Sequence, residues 1–324
     1  MGTDVSVLSG IPTKPSEPLR PAWRELLHRG WATLDPLTDG QVAEAAHAPW
    51  QYVENALGVR PARIDVMSVR PVPGATTYTS TDIEAKFHTD ITYAIVPPHL
   101  QLFICSRPAR TGGETVLLDG WQVLDDLRDR EPALYDDAFL DITEKPFAVR
   151  WFGATVGLRH DNLVFAHSPF AAESKLDEAV AEAVERLGRD SAYRMLLAAG
   201  QVLVFNNQRL LHGRSAFADP DRMLVKLHIW LCEPLPAPAA LWRPADEART
   251  RLRADRGARN GLPPQLLGID ATPSAEALLR AGIVQETLSA RQDDMAATAR
   301  RLGLPPERVH QWCAEAMAML SRLP

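Results

Sequence analysis

The pair His88 and Asp90, in the segment 87–90 (FHTD), has the residue types of a metal site. In an extended chain, residues i and i+2 point to the same side, so both side chains can approach one ion. An imidazole and a carboxylate are two of the three ligands of the facial triad that holds non-haem Fe(II). Such a pair is common on protein surfaces, so it predicts a metal site only if a third ligand is found.

His212 is the best candidate for the third ligand. It follows the apolar run 201–205, which is predicted to be a strand, and lies in the segment 207–214 (NQRLLHGR). The other histidines in the same part of the chain have contexts typical of structural residues. His99 is too near His88 and Asp90 in the sequence to reach around the same ion. His160 and His167 lie in hairpin-like segments, and His228 alternates within an apolar strand.

Two further residues could hold an organic acid beside the metal. Thr115 closes the turn 111–115 (TGGET) and begins a predicted strand. Arg222 comes ten residues after His212, at the head of the predicted strand Met223–Trp230. A guanidinium can make a forked, charge-assisted contact with a carboxylate. Each residue has a plain alternative, a turn for Thr115 and a surface charge for Arg222.

The elements that must position these residues are mostly short strands. The spacing of apolar residues predicts helical structure from Pro21 to about Gly58, with a second helix over Val42–Leu57. Further helices are predicted after Asp119, as the N-cap, and over Leu176–Leu187. Predicted strands are Ile64–Val69, Leu100–Cys105, Thr115–Leu118, Phe147–Trp151, Leu163–Ala166, Val202–Phe205 and Met223–Trp230. The pattern favours an α+β, mainly β fold: a double-stranded β-helix (jelly roll, cupin-like) with flanking helices.

The predicted domain organisation has three parts. Residues 1–20 form a flexible leader, residues 21–235 the jelly-roll domain, and residues 236–324 a helical C-terminal extension that includes an amphipathic segment, Ala275–Leu288. The extension could cover the mouth of the active site or form a homodimer. The sequence does not decide between these roles.

Composition excludes several classes of protein. The 324 residues carry a net charge of −6 and no basic block, which argues against nucleic acid as a main partner. No run approaches the ~18 apolar residues of a membrane span, so no membrane partner is expected. Three separated cysteines, Cys105, Cys232 and Cys313, argue against a disulfide scaffold and favour a cytoplasmic location.

Taken together, the FHTD segment, the GGET turn and the segment from Asn207 to Arg222 resemble the taurine dioxygenase (TauD/TfdA) family of Fe(II)/2-oxoglutarate-dependent oxygenases, over about residues 60–235. The resemblance implies that His88, Asp90 and His212 ligate Fe(II), and that Arg222 and Thr115 hold the far carboxylate of 2-oxoglutarate. It further implies that O2 is consumed, that succinate and CO2 are released, and that a C–H bond of a small-molecule substrate is oxidised. Halogenases that resemble this chain have a small residue in place of the carboxylate, so Asp90 favours hydroxylation, with desaturation or cyclisation left open.

Clues to the substrate are fewer. Lys226 lies four residues after Arg222, where members of the family often have a second arginine, and strand alternation would place both on one face. Tyr78 and Tyr93 are further candidates for substrate contact. We expect a small carboxylate or amino acid-type substrate, in bacterial specialised (natural-product) metabolism. Two alternatives stay open: a cupin-type metal enzyme that does not use 2-oxoglutarate, and a non-catalytic ligand-sensing regulator.

Overall fold

The protein is built on two antiparallel β-sheets. The computed structural model describes residues 20–73, 78–92, 94, 96–144, 152–170, 174–254 and 307. The strands are β1 (Trp31–Leu34), β2 (Pro61–Val69), β3 (Ala85–His88), β4 (Leu100–Arg107), β5 (Thr115–Asp119), β6 (Thr143–Glu144), β7 (Phe152–Gly153), β8 (Val156–Arg159), β9 (Asn162–Phe165), β10 (Tyr193–Met195), β11 (Val202–Asn206), β12 (Leu210–Arg214) and β13 (Met223–Leu231).

Their order in space gives a five-stranded sheet, β1-β11-β4-β13-β2, and a four-stranded sheet, β10-β5-β12-β3. The pairs β6–β7 and β8–β9 form two small separate ribbons. The helices are α1 (Pro21–Arg29), α2 (Asp39–His47), α3 (Pro49–Leu57), α4 (Gly120–Arg130), α5 (Pro132–Leu140), α6 (Lys175–Asp190) and α7 (Ala239–Ala254), with a 3-10 turn at Tyr78–Ser80.

Three apolar clusters hold these layers together. The first joins the larger sheet to α1, α2 and α3, and the second joins the smaller sheet to α4, α5, α6 and α7. The third lies between the sheets, where residues such as Phe103, Leu117, Phe205 and Leu224 alternate with the residues that face the helices. Two antiparallel sheets packed face to face are the arrangement that a jelly roll requires, so this part of the fold prediction is confirmed.

Most predicted elements agree with the structure to within a few residues. Asp119 caps α4 by accepting the backbone N–H of Trp121 at 3.0 Å, as predicted. The predicted strand Phe147–Trp151 lies outside the described residues.

The helical structure predicted from Pro21 to about Gly58, with a second helix over Val42–Leu57, is wrong in two places. Gly30, at φ 86°, ends α1, and Trp31 then begins strand β1. A left-handed glycine is a common helix terminator. The single helix predicted over Val42–Leu57 is two helices, because Pro49 has no N–H to continue α2 and instead starts α3.

The predicted leader and most of the predicted C-terminal extension, including Ala275–Leu288, fall outside the described residues, so both stay predictions, as does a homodimer through that extension. The described residues of the extension, 236–254 and 307, include α7. Leu241, Ala245 and Ala248 of α7 pack into the cluster that also contains residues of α4, α5 and α6. Within the described residues, no helix combines the length and the apolar character needed to cross a membrane.

Candidate metal and cosubstrate site

His88, Asp90 and His212 meet at the edge of the space between the two sheets. β12 pairs with β3 so that His212 lies opposite His88, and the centres of the two imidazole rings are 4.2 Å apart. Asp90 follows in a turn just beyond β3, not in the extended strand that the sequence argument assumed. One donor atom from each of the three buried side chains lies within 4.8 Å of the others.

The donors fit a divalent transition metal. His88 Nδ1 lies 2.7 Å from the Lys86 carbonyl oxygen, so it carries the proton and leaves Nε2 for a metal. On Asp90, Oδ1 is 3.2 Å from that Nε2. His212 Nδ1 is buried and has no hydrogen-bond partner among the described residues. Two imidazoles and one carboxylate that share a small buried space are the ligand chemistry of a facial triad.

Burial and the neighbouring charges set the protonation states of the triad. Burial alone would raise the pKa of the Asp90 carboxyl, but the Lys226 ammonium, His212, His228 and His88 together hold that pKa well below its usual range. Burial, reinforced by His88, holds the pKa of His212 well below its usual value. Asp90 is therefore ionised and His212 neutral at pH 7, which are the states that bind a metal.

A buried amide network, which the sequence analysis missed, fixes the backbone of Asp90. The Asn207 side chain accepts the N–H of Asp90 and donates to its carbonyl oxygen, both at 3.1 Å, and also donates to the carbonyl oxygen of Pro98. The next residue, Ile91, has φ 54°, a left-handed conformation that is unusual for a β-branched side chain. Such strain persists where surrounding contacts enforce it, and it is concentrated at functional sites.

Two more polar residues point at Asp90 from the larger sheet. Gln101 Nε2 donates to Asp90 Oδ2 at 2.8 Å, and His228 Nε2 lies 3.1 Å from the same oxygen. Burial, reinforced by the Lys226 charge, lowers the pKa of His228. His228 is thus hydrogen-bonded to a candidate ligand and is not part of the candidate triad. In the sequence, the signal for Gln101 and His228 was that each is a polar residue inside an otherwise apolar strand.

Lys226 lies on the inner face of β13 with Leu224, as the predicted alternation requires, since Leu224 belongs to the cluster between the sheets. Its side chain is buried, and its ammonium forms an ion pair with Asp90 Oδ2. The predicted contact of Lys226 with a substrate stays a prediction.

Arg222 contacts the glycine turn that precedes Thr115. Arg222 is buried, and its Nη2 donates to the Gly113 carbonyl oxygen at 3.2 Å, while Nη1 has no hydrogen-bond partner among the described residues. A Cβ on Gly113, at φ 71°, would lie 2.9 Å from Arg222 Nε, so the glycine makes room for the guanidinium. Thr115, two residues further on, shares the inner face of β5 with Leu117. A buried guanidinium with an unused N–H fits an anionic group.

Of the two tyrosines predicted to contact a substrate, one lies within the described residues. The Tyr78 ring lies over the site, 5.6 Å from the His88 ring and 5.9 Å from the Phe170 ring, measured between centres. Its carbonyl oxygen accepts from Arg214 at 3.0 Å, and the same guanidinium holds the carbonyl oxygens of Thr81 and Ile83. Tyr93 is outside the described residues.

Curated relatives match part of the chain. Gamma-butyrobetaine dioxygenase from Homo sapiens is 24% identical over 155 residues, which cover 41% of this chain and 40% of the relative. Dioxygenase str8 from Strobilurus tenacellus is 24% identical over 172 residues, 48% of this chain and 40% of the relative. The match therefore spans well under half the length of either relative.

Solved structures give distant likenesses. An asparagine oxygenase in complex with Fe(II), 3-hydroxyasparagine and succinate has a TM-score of 0.44 at 16% identity, covering 60% of each chain. A taurine dioxygenase from Burkholderia xenovorans has a TM-score of 0.44 at 19% identity, covering 65% of this chain and 80% of the other.

A family model matches much more of the chain. Residues 11–228 match the model described as the taurine catabolism dioxygenase TauD, TfdA family. The matched range contains the candidate metal ligands, the glycine turn and Arg222. This chain therefore belongs to the TauD, TfdA family.

Proposed function

We propose that the chain is an Fe(II)/2-oxoglutarate-dependent dioxygenase that hydroxylates a small molecule. The observation that supports this most directly is the buried cluster of His88, Asp90 and His212 within residues that match a dioxygenase family. In this proposal the three side chains ligate Fe(II) through His88 Nε2, an Asp90 oxygen and His212. When bound, iron with 2-oxoglutarate supplies the chemistry that couples O2 reduction and decarboxylation to oxidation of a C–H bond.

The protein's own residues bind and orient the cosubstrate. The unused Nη1 of Arg222 and the Thr115 hydroxyl are proposed to hold the far carboxylate of 2-oxoglutarate. Arg222 can do this because Gly113 carries no side chain that would fill the same space. A cupin-type enzyme without this cosubstrate would have no use for a buried guanidinium at that place, which favours the 2-oxoglutarate reading.

For the substrate, we propose a small carboxylate or amino acid-type molecule of bacterial specialised metabolism. Lys226, Tyr78 and Tyr93 are the proposed contacts. The Tyr78 ring, whose centre is 5.6 Å from that of the His88 ring, supports a small molecule bound beside the metal. The Lys226 ammonium already pairs with Asp90, so contact with a substrate carboxylate would mean that it serves both carboxylates. Asp90 occupies the position that must be small for a halide ligand, so hydroxylation is proposed in preference to halogenation.

The test is succinate release by the purified protein with Fe(II), 2-oxoglutarate and O2 against a panel of amino acids and small carboxylates. We expect one class of compound to raise succinate formation and to gain one oxygen atom, measured by mass spectrometry. His88→Ala, Asp90→Ala and His212→Ala should each abolish that release. His47→Ala, a change on the exposed side of α2, is the matched control and should leave it unchanged.

Binding measurements separate the alternatives. Anaerobic calorimetry should show one Fe(II) and one 2-oxoglutarate per chain. Iron binding without 2-oxoglutarate binding would favour the cupin-type enzyme. Binding of neither would overturn the enzyme proposal and favour a ligand-sensing regulator.

A further inference from the structure

The two oxygens of the Asp90 carboxylate have different surroundings. Oδ1 lies 3.2 Å from His88 Nε2, and Oδ2 is the oxygen nearest His212, 3.7 Å from its Nε2. Oδ2 accepts from Gln101 Nε2 at 2.8 Å, has His228 Nε2 at 3.1 Å, and forms the ion pair with Lys226. A carboxylate oxygen has about two lone-pair sites, so Oδ2 is fully used by the protein.

We propose that Lys226 is a positioning residue for the metal ligand Asp90: with Gln101 it occupies Oδ2, so that Asp90 offers the metal one oxygen and a partly compensated charge. This inference rests on the proposed metal site, and it assigns Lys226 a role beyond substrate contact.

Neighbouring strands place these donors. In the pairing of β4 with β13, Gln101 lies opposite His228, and Lys226 lies opposite Phe103. Lys226 and His228 are two residues apart on one strand and therefore share a face. The donors to Oδ2 thus stand on the rigid centre of the larger sheet, where their positions are set by strand register and not by a loop.

Gln101 and Lys226 act on the same oxygen in different ways. The Gln101 amide is neutral, so it orients the carboxylate without opposing a metal cation. The Lys226 ammonium also orients it, but adds a positive charge beside the ligand, and like charges repel strongly in a buried site. Lys226 therefore lowers the affinity for a divalent cation and raises that for an anionic second ligand.

The experiment measures binding of Co(II), a redox-stable probe, by anaerobic calorimetry to the full chain. Loss of a hydrogen-bond partner of a metal ligand typically lowers metal affinity by about 10–100-fold. We therefore expect Gln101→Leu to weaken Co(II) binding about tenfold. Lys226→Met should tighten it by about tenfold, because removing a positive charge beside the cation outweighs the lost hydrogen bond. Lys175→Met, the same change at the exposed start of α6, is the matched control and should leave the affinity unchanged.

A third variant separates charge from orientation. Lys226→Gln keeps a hydrogen-bond donor for Oδ2 and removes the charge, so it should tighten Co(II) binding while keeping the absorption spectrum of the Co(II) protein. Lys226→Met should tighten binding and alter that spectrum, because Asp90 is then free to turn or to bind through both oxygens. Thermal unfolding followed by circular dichroism identifies any variant that does not fold, and the other Lys226 variant then decides.

The possible results separate a positioning role of Lys226 from a substrate contact and from a purely structural role. Opposite shifts for Gln101→Leu and the Lys226 variants support the proposal. Unchanged Co(II) affinity in the Lys226 variants, with only a raised KM for the substrate, would overturn it and leave Lys226 as a substrate contact. Weakened binding in all three would also overturn it, since a purely structural role predicts that result. Failure of the wild-type chain to bind Co(II) or Fe(II) would instead remove the metal site itself.

Discussion

The two faces of strand β13 are both largely buried but have opposite chemistry. On the outer face, Val225, Leu227 and Ile229 pack in the apolar cluster beneath α1, α2 and α3. On the inner face, Lys226 and His228 reach the Asp90 carboxylate between the sheets. Burial therefore does not distinguish a core face from a functional face, whereas the residue types do.

Burying the polar groups of the inner face costs free energy, and this explains why these groups are so closely paired. A buried charge without a partner is strongly unfavourable, and replacing a buried ion pair by apolar residues is often neutral or stabilising. The Lys226–Asp90 pair is thus weak evidence for stability and better explained by the site that it serves. The outer face has no such cost, since its side chains contribute simply by leaving water.

The largest expected effect on stability is at the outer face. Leu227→Ala should lower the free energy of unfolding by about 2–5 kcal/mol, because it leaves a cavity in a fully buried cluster. Urea denaturation measures the loss. Co(II) affinity of the folded variant should stay at the wild-type value; a large change there would mean that the two faces of β13 are coupled.

Acid should lower the stability of the folded protein through His99, which lies beside the end of β13. Burial lowers the pKa of His99 from 6.5 to about 4, and its Nδ1 accepts the N–H of Leu231, the last residue of β13. Folded His99 therefore stays neutral while the unfolded side chain protonates, so its stabilising contribution is complete above about pH 6.5 and is lost as the pH falls towards 4. The contribution is about 3 kcal/mol.

Urea denaturation of the metal-free protein at pH 7 and pH 4.5 measures this loss. His99→Asn keeps an acceptor for Leu231 but does not titrate, so it should lose less stability between the two pH values than the wild type. An equal loss in both proteins would assign the acid sensitivity to other groups, such as His228 or His212, whose pKa values are also lowered by burial.

At the start of the inner face, Arg222→Ala should weaken binding of 2-oxoglutarate by roughly 10–100-fold, as expected for loss of a hydrogen bond to a charged group. Anaerobic calorimetry with Co(II) already bound gives this affinity. Co(II) affinity itself should change by less than about twofold. Equal loss of both would show damage to the fold and not to a carboxylate contact.

The smallest effect is expected at Thr115. Thr115→Val keeps the shape of the side chain and removes one hydroxyl, so 2-oxoglutarate should bind only about two- to tenfold more weakly. The same calorimetry compares Thr115→Val with Thr115→Ser, which should restore most of the affinity. No difference between the Val and Ser variants would remove the hydroxyl from the proposed contact.

Local signals predicted the candidate site better than they predicted the elements around it. His88, Asp90 and His212 could be selected because each has a distinctive context, and Arg222 because it heads an apolar strand. Trp31 was misassigned to helical structure because its spacing from Leu27 fits a helix, while its pairing with Phe205 on β11 depends on residues far along the chain.

Gln101, Asn207 and His228 could not be assigned a role from sequence, because each acquires one only through its distance from Asp90. Asn207 is 117 residues from Asp90 along the chain, yet it accepts the N–H of Asp90 and donates to its carbonyl oxygen. Strand register sets such distances, and the packing of the two sheets sets the register.

By itself, the amino-acid sequence determined the ligand chemistry, since two imidazoles and a carboxylate have the same donor atoms in any fold. It also determined that β13 would present alternating faces, because side chains of a strand repeat with a period of two. Only the tertiary structure decided that the inner face of β13 lies against the candidate metal ligands. It also decided that the Lys226 ammonium contacts Asp90. That contact exists because β4 and β13 pair in the larger sheet, and this sheet faces the smaller sheet, in which β3 and β12 pair.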